Sequence, residues 1–207
     1  IRLIIAYIPK AYEHSVYGIG QNSSGELGLS HNKEVSQFTK LPQMSALLEH
    51  PSNIYRGYGR FMLKSITGEL YSCGNNFRGD LGQNLLDSTH SAQFEQIATT
   101  NTQTFHCDVV GDGVISNHTI IASHNMYTQS STATYTNLFA FGSNRRGQFG
   151  NYYSDAFEES NYCPKQILQH EIVNEHVFHN ESIVKIQCGE YHTLFLSKQG
   201  SVFSCGD

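Results

Sequence analysis

Basic residues are in short supply: 13 Lys and Arg stand against 18 Asp and Glu, a formal net charge of −5. A chain that tracks a phosphate backbone needs the opposite balance, and the densest basic site is only Arg145-Arg146, so direct nucleic-acid binding is disfavoured. The cysteines Cys73, Cys107, Cys163, Cys188 and Cys205 are odd in number and contain no CxxC pair, which suggests neither a disulfide framework nor a zinc ribbon. Cys73, Cys188 and Cys205 each precede a glycine in an apolar segment, where a free thiol serves as a small hydrophobe. A reducing compartment, cytoplasm or nucleus, is therefore expected. Long apolar runs are missing too: Ile1 to Ile8 is far shorter than the roughly 20 residues a spanning helix needs, and no small-residue cleavage site follows it. No membrane span is expected, and Ile1 to Ile8 reads as a strand.

What the chain has instead is 18 glycines, 12 Tyr and 12 Phe, the composition of turns and aromatic strands. Repeats are the decisive signal. VYGIGQNSSGELG (Val16 to Gly28), LYSCGNNFRGDLG (Leu70 to Gly82) and LFAFGSNRRGQFG (Leu138 to Gly150) share one template, and VFSCGD from Val202 begins a fourth copy. Starts at residues 16, 70, 138 and 202 are spaced by 54, 68 and 64 residues, longer than most helical solenoid repeats and close to propeller blades.

Within each copy Tyr17, Tyr71, Phe139 and Phe203 lie two residues from Ile19, Cys73, Phe141 and Cys205, so these groups share one face of a strand. The opposite face carries Gly18, Ser72, Ala140 and Ser204, small residues that predict close approach of a neighbouring sheet. Next comes Gly-x-Asn-x-x-Gly-x-(Leu/Phe)-Gly, whose constrained residues are Gly20, Asn22, Gly25 and Gly28; Gly74, Asn76, Gly79 and Gly82; Gly142, Asn144, Gly147 and Gly150; and Gly206 in the last copy. Such residues tolerate left-handed backbone angles and predict a tight loop with a structural role. A second short strand precedes each motif: RFMLKS from Arg60, HTIIAS from His118 and HTLFLS from His192. Two of these reach the motif through Ile66-Thr67-Gly68-Glu69 and Lys198-Gln199-Gly200-Ser201, a hairpin signal. The middle one is followed by a Ser/Thr-rich stretch from His124 to Asn137, expected to be a long exposed loop.

VKIQCGEYHTLFLSKQGSVFSCGD (Val184 to Asp207), together with the Asn-x-x-Gly-x-Leu-Gly loops, resembles the regulator-of-chromosome-condensation repeat. The resemblance implies a seven-bladed propeller with blades of four antiparallel strands, acting as an exchange factor for Ran-type GTPases or as an interaction domain. The expected fold is accordingly all-β, a partial β-propeller of about half a seven-bladed ring. It forms one incomplete domain over 1–207: residues 1–15 end a preceding blade, repeats run 16–69, 70–137 and 138–201, and 202–207 start the next. A fragment of a longer protein, prone to oligomerise alone through bare blade faces, is the corresponding expectation. Two departures mark a divergent member: there is no Trp anywhere, where the family often has one, and Arg60 stands in place of the motif His seen at His118 and His192.

Catalytic chemistry has little footing. His118 and His192 occupy the repeat's own His-Thr position and read as structural hydrogen-bonding groups; His170, His176 and His179 form no recognised metal motif. Gly57-Tyr58-Gly59 and Gly111-Asp112-Gly113 lack the third glycine of a dinucleotide site, and Glu26, Asp80, Asp112 and Glu190 are scattered over separate repeats. No catalytic residue, cofactor or metal is expected. The variable loop positions, Arg78, Arg145 and Arg146 above all, are the candidate contacts for a protein partner. Two readings of function follow: a non-catalytic interaction propeller that regulates a small GTPase, or a propeller module of a larger protein such as a ubiquitin ligase or signalling scaffold. A hydrolase or lyase site in a central channel ranks last and would need acidic or histidine residues clustered at the axis.

Overall fold

The computed structural model describes residues 4–10, 13–42, 51–85, 88–97, 109–111, 113, 116–124, 136–150, 161–167 and 182–207. These form four antiparallel sheets in chain order, the architecture of a partial β-propeller. The first holds β1 (Ile4–Lys10), β2 (Glu13–Gly20) and β3 (Val35–Lys40). In the second are β4 (Pro51–Gly57), β5 (Arg60–Ser65), β6 (Leu70–Asn75) and β7 (His90–Gln96). β8 (Val109–Gly111), β9 (His118–His124), β10 (Thr136–Gly142) and β11 (Asn161–Ile167) make the third, and β12 (Ile183–Cys188), β13 (His192–Ser197) and β14 (Val202–Gly206) the fourth.

Register makes the sheets equivalent. Gly74 pairs with Arg60, Gly142 with His118 and Gly206 with His192, so β6, β10 and β14 are one blade position and β5, β9 and β13 another. Sequence repeat and blade are out of phase, because residues 16–69 give two strands to the first sheet and two to the second. Ile4–Lys10, expected to end a preceding blade, is hydrogen-bonded along its length to Glu13–Gly20 of the first sheet. The loop expected from His124 to Asn137 is also shorter than its composition suggests: both ends continue the ladder, with His124 opposite Thr136 and Ser123 opposite Asn137. Residues 125–135 lie outside the described residues.

Apolar burial explains why β5 and β9 do not alternate like half-exposed strands. Phe61 and Leu63 enter a core with Val16, Leu27 and Phe94, between the first and second sheets. Met62, pointing the other way, joins Val110, Ile121 and Phe141 between the second and third. Ile120 and Ala122 then meet Ile183, Ile186 and Phe195 between the third and fourth. Each inner sheet is thus sandwiched, and both faces of its strands must be apolar. At roughly 25 cal/mol per Å² of apolar area removed from water, sheet stacking supplies the main stabilisation.

Two small residues of the motif strand have a different cause from the one expected. A Cβ at Gly18 would lie 2.6 Å from Leu27 Cδ2, and Ser72 Oγ donates to the Leu81 carbonyl at 2.7 Å. At these two positions what approaches is the blade's own motif loop, folded back over its strand, whereas Ala140 packs into the core shared with the fourth sheet.

Candidate functional site

The motif loops are built alike in the three sheets that carry them complete. Asn22, Asn76 and Asn144 accept, through Oδ1, the backbone N–H of Leu27, Leu81 and Phe149 at 2.8, 3.2 and 2.9 Å. Glu26, Asp80 and Gln148 accept the N–H of Ser24, Arg78 and Arg146 at 2.9, 3.3 and 2.8 Å. Gly25, Gly28, Gly79, Gly82, Gly147 and Gly150 all have positive φ, angles that side chains other than glycine adopt only under strain. The loop is therefore a rigid mount for its variable positions. Asn22, which opens the N-glycosylation-type sequence Asn22-Ser23-Ser24, is fully buried and its Nδ2 donates to the carbonyls of His31 and Lys33, so its amide is not presented for modification.

The first and third of these loops also clamp the next sheet. Cys73 Sγ donates to the Glu26 carbonyl and Cys205 Sγ to the Gln148 carbonyl, both at 3.0 Å. Burial pushes the Cys205 thiol up to about 12 and Cys73 well above its ordinary value, so both stay protonated donors. Below the loops runs a second inter-sheet bond. His118 Nε2 lies 2.8 Å from Thr193 Oγ1, and Thr193 Oγ1 donates to the Gln148 carbonyl at 2.9 Å. Since the threonine proton is committed, His118 must donate from Nε2, which fixes the neutral tautomer. Burial first, then the charges of Arg60 and His192, lower its pKa to about 3.

Arg60 occupies the equivalent place one sheet earlier and makes the equivalent bond. Its Nη2 donates to Thr119 Oγ1 at 3.1 Å and to the His118 carbonyl at 3.0 Å, and Nη1 donates to the Ser116 carbonyl at 2.7 Å. Asp80 lies 3.9 Å away as a buried counter-charge. The guanidinium lies flat on Gly57, as the His192 imidazole lies on Gly189, where any Cβ would collide. His192 itself is exposed. The residues Glu26 and Asp80 are thus occupied by loops and neighbours, while His170, His176, His179 and Asp112 lie outside the described residues. Among the described residues no group of His, Cys, Asp or Glu is placed to hold a metal ion, and no helix is long and apolar enough to cross a membrane.

Antiparallel order puts the motif loops and the β4–β5 and β12–β13 turns at one end of the sheets, the hairpins at 65–70 and 197–202 at the other. On the loop end Arg78 and Arg146 are brought together from successive sheets around Tyr191: the Arg146 guanidinium sits 5.8 Å from the Tyr191 ring centroid, and both arginines act electrostatically on its hydroxyl. Arg145 is exposed beside Arg146. Tyr58, Phe77 and Tyr191 are 61%, 65% and 40% exposed and line one open pocket of about 430 Å³ with Asn75, Arg78, Asp80, Asn117 and Glu190. Of these aromatics only Phe77 stands at a variable position of a motif loop, beside Arg78. Tyr58 and Tyr191 were missed, although each lies one or two residues before the Arg60 or His192 of the motif. His124 and Thr136, the described ends of the stretch from His124 to Asn137, pair at the opposite end of the sheet.

Residues 183–207 match the family model described as the regulator of chromosome condensation (RCC1) repeat. Those residues carry such a repeat, and the chain as a whole resembles the regulator-of-chromosome-condensation repeat family. Its sequence is 30% identical over 135 residues to human Probable E3 ubiquitin-protein ligase HERC6, an alignment covering 65% of this chain and 11% of that protein. By fold it is similar to human WBSCR16, with a TM-score of 0.70 at 16% identity, and to yeast RCC1 (Prp20) in its crystal structure bound to Kap60, with a TM-score of 0.60 at 14% identity. All of this chain is covered in both cases, and 47% and 44% of the solved chains, so it spans about half their length.

Proposed function

We propose that this RCC1-type propeller is a non-catalytic protein-interaction module that meets its partner on the motif-loop end. The observation that carries this reading is the meeting of Arg78 and Tyr191, from the second and fourth sheets, in one open aromatic pocket, with Arg146 of the sheet between them set against the Tyr191 ring beside it. Arginine and tyrosine are the residue types enriched at interface hot spots, and rigid loops cost little entropy on binding. Similarity to HERC6 over 65% of the chain favours a propeller module of a larger ubiquitin-ligase-like or scaffold protein. Regulation of a small GTPase is the second reading, supported by the fold shared with yeast RCC1; exchange would require tighter binding to the nucleotide-free GTPase than to the loaded one.

A photocrosslinking amino acid placed at Phe77 on the loop end, and in a separate variant at Gln199 on the hairpin end, tests the surface in cells expressing the protein. Discrete adducts from Phe77 and none from Gln199 are expected; equal yields would sink the assignment. Purified small GTPases loaded with fluorescent GDP then separate the two readings. Accelerated release marks an exchange regulator, and unaltered release with a crosslinked partner marks a module.

A further inference from the structure

We infer that the pocket bounded by Tyr58, Phe77 and Tyr191 takes an acidic linear segment of a protein partner, one apolar side chain seated among the rings and carboxylates held by Arg78 and Arg146. The inference rests on the interaction reading above and deepens it. Three exposed aromatic side chains on one pocket of about 430 Å³ exceed what scattered surface hydrophobes explain. Its space suits a side chain and a few backbone atoms rather than a folded domain, which implies a segment lying across the surface.

Charge selects the sign of that segment. The chain carries a net −5, yet Arg78, Arg145 and Arg146 crowd this end against the exposed carboxylates Glu190 and Asp207, while Asp80, the buried carboxylate of the pocket lining, is balanced by Arg60 at 3.9 Å. Glu190 lies beside the Tyr191 hydroxyl and raises its pKa. Arg146 meets Asp207 at 3.3 Å, with the two side chains 55% and 62% exposed. Such an ion pair contributes little and exchanges readily for an incoming carboxylate. A nucleic acid could also use arginines and aromatic rings. Its continuous phosphate charge, however, would meet the field of an acidic protein beyond this patch, whereas a peptide brings only the few charges the patch can pair.

The test is fluorescence anisotropy with the full chain and three labelled probes of equal length: repeated Glu-Glu-Phe, repeated Lys-Lys-Phe, and oligo(dT). Saturable binding of the acidic peptide is expected, weakened about tenfold or more by Arg78→Glu, Arg146→Glu or Tyr191→Ala and in about 0.5 M salt, with Lys198→Glu on the other end without effect. Thermal melts of the variants, all at exposed or half-exposed positions, verify that the fold is kept. Absence of saturable acidic-peptide binding, binding indifferent to Arg78→Glu and Arg146→Glu, or tighter binding of oligo(dT) would each overturn the inference. If the peptide fails while Phe77 still crosslinks a partner, the acidic-segment inference falls and the interaction reading stands; if both fail, both fall.

Discussion

Two neighbouring sheet interfaces solve one geometrical problem with opposite chemistry. Between the second and third sheets a fully buried arginine spans the gap to Thr119, with Asp80 beside it. Between the third and fourth, a buried neutral histidine spans the same gap to Thr193. Position in the blade is common to both, since Arg60 pairs with Gly74 as His118 pairs with Gly142. The repeat therefore demands a donor that reaches the next sheet's threonine, and is indifferent to whether the donor is charged. The cost differs: a buried guanidinium needs several acceptors and a counter-charge, while the imidazole needs one acceptor and must stay unprotonated.

Breaking the charged bridge should have the largest effect. Arg60→Met keeps the apolar stem but strands Asp80 and the acceptors at Ser116 and His118, and is expected to destabilise by about 3–5 kcal/mol in urea unfolding. Next is Thr193→Val, which leaves the buried His118 Nε2–H without its acceptor and the Gln148 carbonyl with the Cys205 thiol as its remaining donor, a cost of about 2–3 kcal/mol. The parallel Thr119→Val should cost only about 1 kcal/mol, because Arg60 retains the Ser116 and His118 carbonyls. Equal losses at the two threonines would show that the bridges are not chemically distinct.

Acid sharpens the contrast further. The folded pKa of His118 is about 3 against an ordinary 6.5, so between these values the unfolded chain binds the extra proton and stability rises with pH. From pH 7 to pH 5 this group should remove about 2 kcal/mol. His118→Gln, which can still donate to Thr193, should abolish that part of the pH dependence. An unchanged acid slope in the variant would mean that other groups titrate instead.

The sequence exposed one half of each blade far better than the other. β6 and β10 with their loops, and β5, β9 and β13, repeat because every turn and face in them is constrained by two neighbours. β7, β8 and β11 carry no shared pattern, as His90–Gln96 illustrates, where only Ser91 and Phe94 are buried and the remaining positions are free to vary. Arg60 was visible as a departure from the motif, but its equivalence to His118 depends on distances to a sheet about 60 residues away, which no local pattern records. The same holds for the interaction patch: Arg78 and Arg146 were legible as loop variables, while their meeting at Tyr191 arises only from stacking.

The smallest effect concerns the same side chain in the opposite setting. Arg146, unlike Arg60, faces solvent in its pair with Asp207, so desolvation costs little and the attraction is weak. A double-mutant cycle on Arg146→Ala and Asp207→Ala should give a coupling below about 1 kcal/mol that disappears in about 1 M salt. The loss from Arg60→Met should persist in that salt, because ions do not reach a guanidinium enclosed by two sheets. A salt-resistant coupling at Arg146 would mean the pair holds the loop end in place, and that its arginine is not free to exchange Asp207 for a partner's carboxylate.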